Sequence, residues 1–221
     1  MKLQNRLKFA TLLFIAIIGF IAFPQEALAQ TKKLEKTKQK AENKQYKEKM
    51  KEYNKEGWKL AGGSRTLEVA LLEHYEKTAD EKNQEFIGDV SQCKSINVCR
   101  QSALNNAQNR YASLASGNIK GRVTSLLRAN ANVPQEEVDK MIAAYERAVQ
   151  VDVSGILKES YSIVKENANG TKSFQTIYIV NEETASAARL NAMKQSLKET
   201  KITIDEMEQI LKFVDEGFSI E

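Results

Sequence analysis

Hydrophobic positions along the chain follow both helical and strand spacing, and together they predict an α+β fold. Residues 138–149 repeat apolar side chains every three or four positions, as on the buried face of a helix. Residues 58–61, 86–90 and 174–180 are short apolar or alternating runs of the kind found in strands. We expect one mostly antiparallel sheet of about four or five strands, covered by helices, within a single domain over residues 57–221.

Residues 100–129 show helical spacing of apolar residues first and strand-like alternation afterwards. One apolar helical face is formed by Leu104, Ala107, Tyr111 and Leu114. This face predicts a helix over 100–116, which Gly117 can end. Apolar and small residues then alternate with polar or charged ones from 119 to 129, which predicts a long, half-buried strand.

Turn and cap signals place the remaining elements. Asn169-Gly170 lies between two apolar runs and predicts a β-hairpin. Asn181 can cap a helix, and Thr203 with Glu206 matches the capping box, so two C-terminal helices are predicted within 182–217.

A glycine pair, Gly62-Gly63, separates the first predicted strand from a helix over 66–77. A phosphate-binding loop is the functional alternative at such a position. The spacing matches neither the dinucleotide-binding nor the P-loop motif, so we interpret the pair as a strand-to-helix turn.

The first 29 residues have the layout of a cleavable secretory signal peptide. Basic residues precede an uncharged run over 10–23, and Ala27-Leu28-Ala29 supplies small residues for cleavage between Ala29 and Gln30. A membrane anchor is the alternative, but such a run rises only about 21 Å as a helix, less than the roughly 30 Å hydrocarbon core. We therefore expect an exported protein that is periplasmic, envelope-associated or secreted, with no transmembrane segment after cleavage.

Residues 30–56 form a separate lysine- and glutamate-rich segment, which we call the arm. Positions 31–56 hold ten lysines and five glutamates without glycine or proline, so a helix is predicted. A short stripe of Tyr46, Met50 and Tyr53 could dock against a domain. The arm is either a solvated extension or a contact for anionic lipid or cell-wall polymer. Nucleic acid is not an expected partner, because the chain is predicted to be exported and the glutamates dilute the positive charge.

Cys93 and Cys99 are separated by five residues. In an oxidising compartment we expect them to form a disulfide. The alternatives are free thiols, a redox pair, which usually has C-x-x-C spacing, and a zinc site, which needs about four ligands.

The chemical inventory favours a protein without catalysis. His74 is the only histidine, so a histidine-pair metal site is excluded and a serine-histidine-aspartate triad would have to use it. We expect it on a helix flank, at the surface or half-buried. No catalytic, cofactor-binding or metal site is predicted, although a spatial pair of carboxylates cannot be read from sequence. The composition, 42% hydrophobic and 28% charged, is that of an ordinary globular protein.

The segment ALNNAQNRYASLASGNIKGRV, residues 103–123, resembles the core of small bacterial envelope proteins typified by the LPP-twenty lipoprotein of Helicobacter. The matching positions are Ala103, Ala107, Leu114, Ala115, Val123 and Ser125, with Trp58 and Gly62 in the opening strand and TIYIVN in the closing strand. The likeness covers residues 57–183. The chain is also similar to uncharacterised exported proteins of Bacteroidetes, including the ending LKFVDEGF.

This resemblance implies an α+β envelope domain without known catalysis. The chain departs from it in having no lipid-accepting cysteine, and the cysteine loop and C-terminal helices are additions. We therefore expect a non-enzymatic envelope protein that binds another protein or itself. The alternatives are a module that binds cell-wall polymer or lipid headgroups through the arm, and a hydrolase with an unrecognised carboxylate site.

Overall fold

The computed structural model describes residues 25–130, 133–198 and 202–216. In chain order, the elements are α1 (Gln25–Glu56), β1 (Lys59–Leu60), α2 (Leu67–Thr78), β2 (Asn83–Cys93), α3 (Ile96–Asn130), α4 (Gln135–Val153), β3 (Lys158–Glu166), β4 (Lys172–Asn181), α5 (Glu182–Leu197) and α6 (Ile204–Asp215). The α+β prediction is confirmed. The chain divides between Lys49 and Met50 into two compact units, and the second contains the sheet.

The sheet has four antiparallel strands in the order β1-β3-β4-β2. β3 and β4 form the hairpin predicted from Asn169-Gly170, with Gly170 at a φ of 76°, which glycine adopts without steric cost. At its end the Asn167 amide donates to the Thr171 carbonyl at 2.8 Å. In the strand order given above, the short β1 and the long β2 are the two edge strands.

Helices cover both faces of the sheet. Phe86 of β2 packs against Tyr111 of α3 on one face, where α4, α5 and α6 complete the larger core. On the other face, α2 directs Ala70, Leu71 and His74 inward. The aligned apolar faces predicted for α3 and α4 are thus used in a common core.

Residues 119–129 are helical, so the strand predicted there is wrong. Gly117 does not end the preceding helix, and α3 continues to Asn130. Ile119, Val123 and Leu127 are buried four residues apart, while the alternate positions Gly121 and Ser125 are exposed. An interval of four residues fits both the strand period of two and the helical period of 3.6, and here the residues are helical. Leu114 is exposed, and Ala115 takes the buried position beside it.

The predicted helix caps are present. Asn181 accepts a hydrogen bond from the Thr184 amide at the start of α5. Thr203 and Glu206 form a reciprocal capping box at the start of α6. These side chains satisfy backbone amides that a helix start leaves unpaired.

α3 lies directly on the backbone of β2 at Gly88. A Cβ atom at Gly88 would overlap the carbonyl oxygen of Ala103 and would lie 3.1 Å from the Ala107 Cβ. Ala103 and Ala107 are fully buried in this contact. Small side chains on both elements therefore set the distance between helix and strand.

Cys93 and Cys99 are joined, which confirms the predicted disulfide. The bond connects the end of β2 to the first turn of α3, with the Cα atoms 5.4 Å apart. Both cysteines are buried in a small cluster with Ala61, Ala103 and Phe174.

Reducing this disulfide should lower the free energy of unfolding by only about 2 kcal/mol, because the closed loop is short. Urea denaturation before and after reduction measures the difference without changing the core volume. Thiol labelling of the denatured, non-reduced protein should find neither sulfur free. Two reactive thiols in freshly isolated protein would contradict the bond.

The charged start and the apolar run of the signal peptide lie outside the described residues. Ala29 and Gln30 lie within α1, and cleavage between them stays a prediction. Within the described residues, no helix is long and apolar enough to cross a membrane.

The end of α1 belongs to the unit that contains the sheet. Met50 and Tyr53 are buried, and the Tyr53 hydroxyl lies 3.0 Å from the Tyr161 hydroxyl of β3. The compact unit therefore begins at Met50, ahead of the change in composition at Gly57-Trp58.

We expect trypsin to remove the lysine-rich residues up to Lys47 or Lys49, because that segment has few apolar groups to offset its ordering entropy. The protected remainder, identified by mass spectrometry, should retain Met50 and Tyr53. Tyr53→Ala should shift cleavage to Lys55. A wild-type remainder that begins after Lys55 would contradict the anchoring role of Tyr53.

Candidate functional site

His74 joins three elements of the fold. Its Nδ1 lies 3.1 Å from the Ser160 Oγ of β3, and its Nε2 lies 2.7 Å from a Glu85 carboxylate oxygen of β2. α2 brings the imidazole to the sheet because His74 follows Ala70 and Leu71 on its inner face. Ser160 reaches it from an irregularity between Glu159 and Tyr161, where the pairing of β3 with β4 shifts.

The connectivity of these residues is that of a serine-histidine-acid relay, but the accessibility is reversed. His74 is 2% exposed and Ser160 is 4% exposed, whereas the Glu85 side chain is 42% exposed. The carbonyl of Ser160 accepts a hydrogen bond from Arg65 at 2.6 Å. A substrate would meet the carboxylate first, while the hydroxyl is enclosed. The contacts therefore fasten α2 to β2 and β3.

Sequence reasoning placed His74 at the surface or half-buried, and the structure buries it. Its partner Ser160 is 86 residues away in sequence, which leaves no local signal. Glu85 lies in a run whose alternation predicts only that it faces away from Phe86.

Tyrosines surround this junction. The ring of Tyr161 meets His74 edge-on at 5.4 Å, and its hydroxyl pairs with that of Tyr53. Burial raises the pKa of Tyr53 to about 12. Burial and the neighbouring Tyr53 raise the pKa of Tyr161 well above that of a free tyrosine. Both phenols are therefore neutral hydrogen-bonding groups in the folded protein.

A tyrosine whose pKa is raised by folding stabilises the folded state at pH values below its unfolded-state pKa. This stabilisation is lost as the pH rises above that pKa. We therefore expect stability to fall above about pH 10, where the unfolded tyrosines ionise. In an absorbance titration, Tyr53 and Tyr161 should ionise together with the loss of far-ultraviolet dichroism. Tyr53→Phe should remove one late-titrating phenol. Complete, reversible titration near pH 10 with the fold intact would contradict their burial.

A second buried polar cluster lies between the helices. Arg189 of α5 donates a hydrogen bond of 2.6 Å to the Tyr111 hydroxyl and pairs with the Glu182 carboxylate. Burial opposes the charged form of Arg189, but the contacts with Glu182 and Tyr111 outweigh it and raise its pKa. This arrangement holds α5 against α3, and sequence reasoning did not single it out.

An open cleft of about 340 Å³ lies between α3, the α4–β3 connection and β4. Arg100 and Glu159 line it with their charged ends 3.8 Å apart, above apolar contributions from Leu104 and Leu157. Glu159 is the one carboxylate among the residues that line this cleft, so it does not hold the pair that glycoside hydrolysis uses. Among the described residues, no group of three or more histidine, cysteine or acidic side chains is arranged to hold a metal ion.

The outer edge of β2 is the other feature of functional interest. The backbone hydrogen bond between Asn167 and Thr171 shows which residues of β4 direct their backbone groups toward β3. The alternate residues of β4 direct theirs toward β2. Their partners on β2, which direct backbone groups toward β4, are Gln84, Phe86, Gly88 and Val90. The backbone groups of Glu85, Ile87 and Asp89 therefore point away from the sheet. The Asp89 carbonyl accepts a hydrogen bond from Asn106 of α3 at 2.7 Å, which agrees with this assignment.

This edge is longer than the opposite one. β1 contributes only Lys59–Leu60, and Arg65 occupies the neighbouring Ser160 carbonyl. β2 runs over eleven residues, Asn83–Cys93. Within the described part of the chain, no strand pairs with its outer side. An unpaired edge of this length can accept an additional strand.

No protein-family model matches this chain, and no curated protein or solved structure is significantly similar to it.

Proposed function

We propose that this chain is a non-enzymatic, exported cell-envelope protein whose α+β domain binds other proteins. The observation that carries the proposal is the outer edge of β2, where Glu85, Ile87 and Asp89 direct backbone groups away from the sheet. Backbone groups at a sheet edge can form hydrogen bonds with a strand from a partner.

Two further observations support this proposal. The Ser160 hydroxyl is enclosed, so the relay through His74 does not present a nucleophile to a substrate. The disulfide between Cys93 and Cys99 fits an oxidising compartment such as the periplasm. The predicted signal peptide and the resemblance to LPP-twenty proteins agree with that location.

Crosslinking followed by co-purification from native envelopes tests the proposal. We expect the protein in the envelope fraction, with its chain starting at Gln30, and crosslinked to a partner or to a second copy. Recovery of the full chain as an integral membrane protein would contradict export by cleavage. A protein that stays uncrosslinked in its own envelope would contradict the interaction function.

The arm provides a second candidate function, binding of anionic cell-wall polymer or lipid headgroups. Lys40, Lys44 and Lys47 are exposed on α1, and Lys44 makes only a long contact of 3.9 Å with Glu48. Binding to anionic vesicles should weaken steeply as salt rises past about 0.1 M, because the charges are exposed. Replacing these three lysines with glutamine should weaken it, because three of the ten positive charges of the arm are removed. Binding that is insensitive to salt would contradict this function.

A further inference from the structure

We infer that the outer edge of β2 receives an extended segment of a different protein, one with basic side chains facing Glu85 and Asp89. The segment would add a fifth strand to the four-stranded sheet. This inference rests on the proposed function and specifies the chemistry of the partner.

The backbone of β2 defines the length of the contact. Glu85 and Ile87 each direct an amide and a carbonyl outward, and Asp89 directs its amide outward. The Asp89 carbonyl is already taken by Asn106, so the open ladder ends there. The added strand therefore pairs with β2 ahead of the disulfide at Cys93.

The side chains of β2 define the charge of the partner. Glu85, Ile87 and Asp89 alternate onto one face, with both carboxylates exposed and Ile87 half-buried between them. Opposite charges on directly paired strand positions attract each other, whereas like charges repel. An incoming strand that matches this acidic-apolar-acidic pattern carries a lysine or arginine opposite Glu85, an apolar residue opposite Ile87 and a second basic residue opposite Asp89. Its basic residues are therefore four positions apart.

The same pattern disfavours pairing of β2 with a second copy of itself in the registers that align its acidic residues. An antiparallel pair of β2 strands centred on Ile87 places Glu85 of one copy opposite Asp89 of the other. A parallel pair in register places each acidic residue opposite itself. Charged residues at an edge commonly prevent such self-pairing, so the edge selects a partner of the opposite charge.

The first experiment uses nuclear magnetic resonance with an octapeptide that repeats lysine, threonine, valine and threonine, so that lysine and valine alternate on one face. This lysine-valine peptide is capped at both ends. We expect shifts and slower hydrogen exchange for the amides of Glu85, Ile87 and Asp89. A glutamate-valine peptide should not bind. The lysine-valine peptide with one backbone edge N-methylated should lose binding through that edge, because it cannot supply the ladder hydrogen bonds. Absence of shifts at these amides with the peptide in large excess would overturn the inference.

A matched pair of variants separates this site from general charge effects. Asp89→Lys and Glu81→Lys change the net charge equally, but Glu81 lies in the turn before β2. We expect Asp89→Lys to weaken peptide binding about tenfold and Glu81→Lys to change it by less than about twofold. Equal effects would show nonspecific attraction and overturn the inference.

Ile87→Pro tests the backbone contribution. Its amide points outward, so proline removes no hydrogen bond to β4 and is tolerated at such an edge position. We expect native dichroism and lost peptide binding. If this variant does not fold, Asp89→Lys decides. If the peptide does not bind the wild-type protein and envelope crosslinks persist in Asp89→Lys, the proposed function stands and the edge assignment fails. A wild-type protein that shows neither envelope crosslinks nor a response to the peptide would overturn both the proposed function and the edge assignment.

Discussion

Gly88→Ala should destabilise the protein by about 3 kcal/mol, at the upper end of the range for overpacking a core. The new methyl group would overlap the carbonyl oxygen of Ala103, which belongs to the backbone of α3 and cannot rotate away. Relief requires α3 and β2 to separate, which would disturb their fully buried contact. Urea denaturation followed by far-ultraviolet dichroism measures the loss.

Gly121→Ala is the matched control. Gly121 is an exposed residue within α3, and a Cβ atom there meets nothing within 4 Å. Alanine is favoured over glycine inside a helix by up to about 1 kcal/mol, so this variant should be as stable as the wild type or more stable. Destabilisation by both substitutions would show that residues 119–129 are not helical, and a neutral Gly88→Ala would contradict the close packing.

The two glycines also show what the sequence pattern could predict. Local signals located β2, the hairpin at Asn169-Gly170 and the caps of α5 and α6, because each depends on residues close together in the chain. The close approach at Gly88 depends on Ala103, which lies on another element. A glycine within a strand gives no sign of which helix will cover it.

Periodicity failed where it was compatible with two structures. Ile119, Val123 and Leu127 lie at even spacing, which satisfies strand alternation, and at intervals of four, which satisfies a helical face. On that side of the sheet the core is formed by α4 and α5, and α3 packs these three side chains against them. The competing signal from Gly117 was too weak to end α3.

The candidate site was less predictable than the fold. The junction of His74, Ser160 and Glu85 requires the order of strands in the sheet, and the open edge of β2 requires the hydrogen-bond register of β4. Neither is encoded by residue spacing within one segment. The acidic alternation of Glu85 and Asp89 is visible in the sequence, but its meaning depends on β2 being an edge strand.

Glu182→Ala should cost about 3–5 kcal/mol, because it leaves the guanidinium of Arg189 buried without its carboxylate. The Tyr111 hydroxyl would remain as a neutral partner and could not balance the charge. Arg189→Met should cost less, since the Glu182 side chain is 26% exposed and water can solvate it. Adding Arg189→Met to Glu182→Ala should therefore recover part of the lost stability.

Glu183→Ala is the control that distinguishes two roles of Glu182, its pairing with the buried Arg189 and its position in the first turn of α5. Glu183 shares the first turn of α5 with Glu182, so each carboxylate favours the positive end of that helix. The Glu183 side chain is 70% exposed and pairs with Lys82 at the surface, where water screens the pair, so its loss should change stability little. Denaturation midpoints should thus differ strongly between the adjacent variants. Equal losses would show that the helix terminus, rather than the buried Arg189, determines the effect of Glu182.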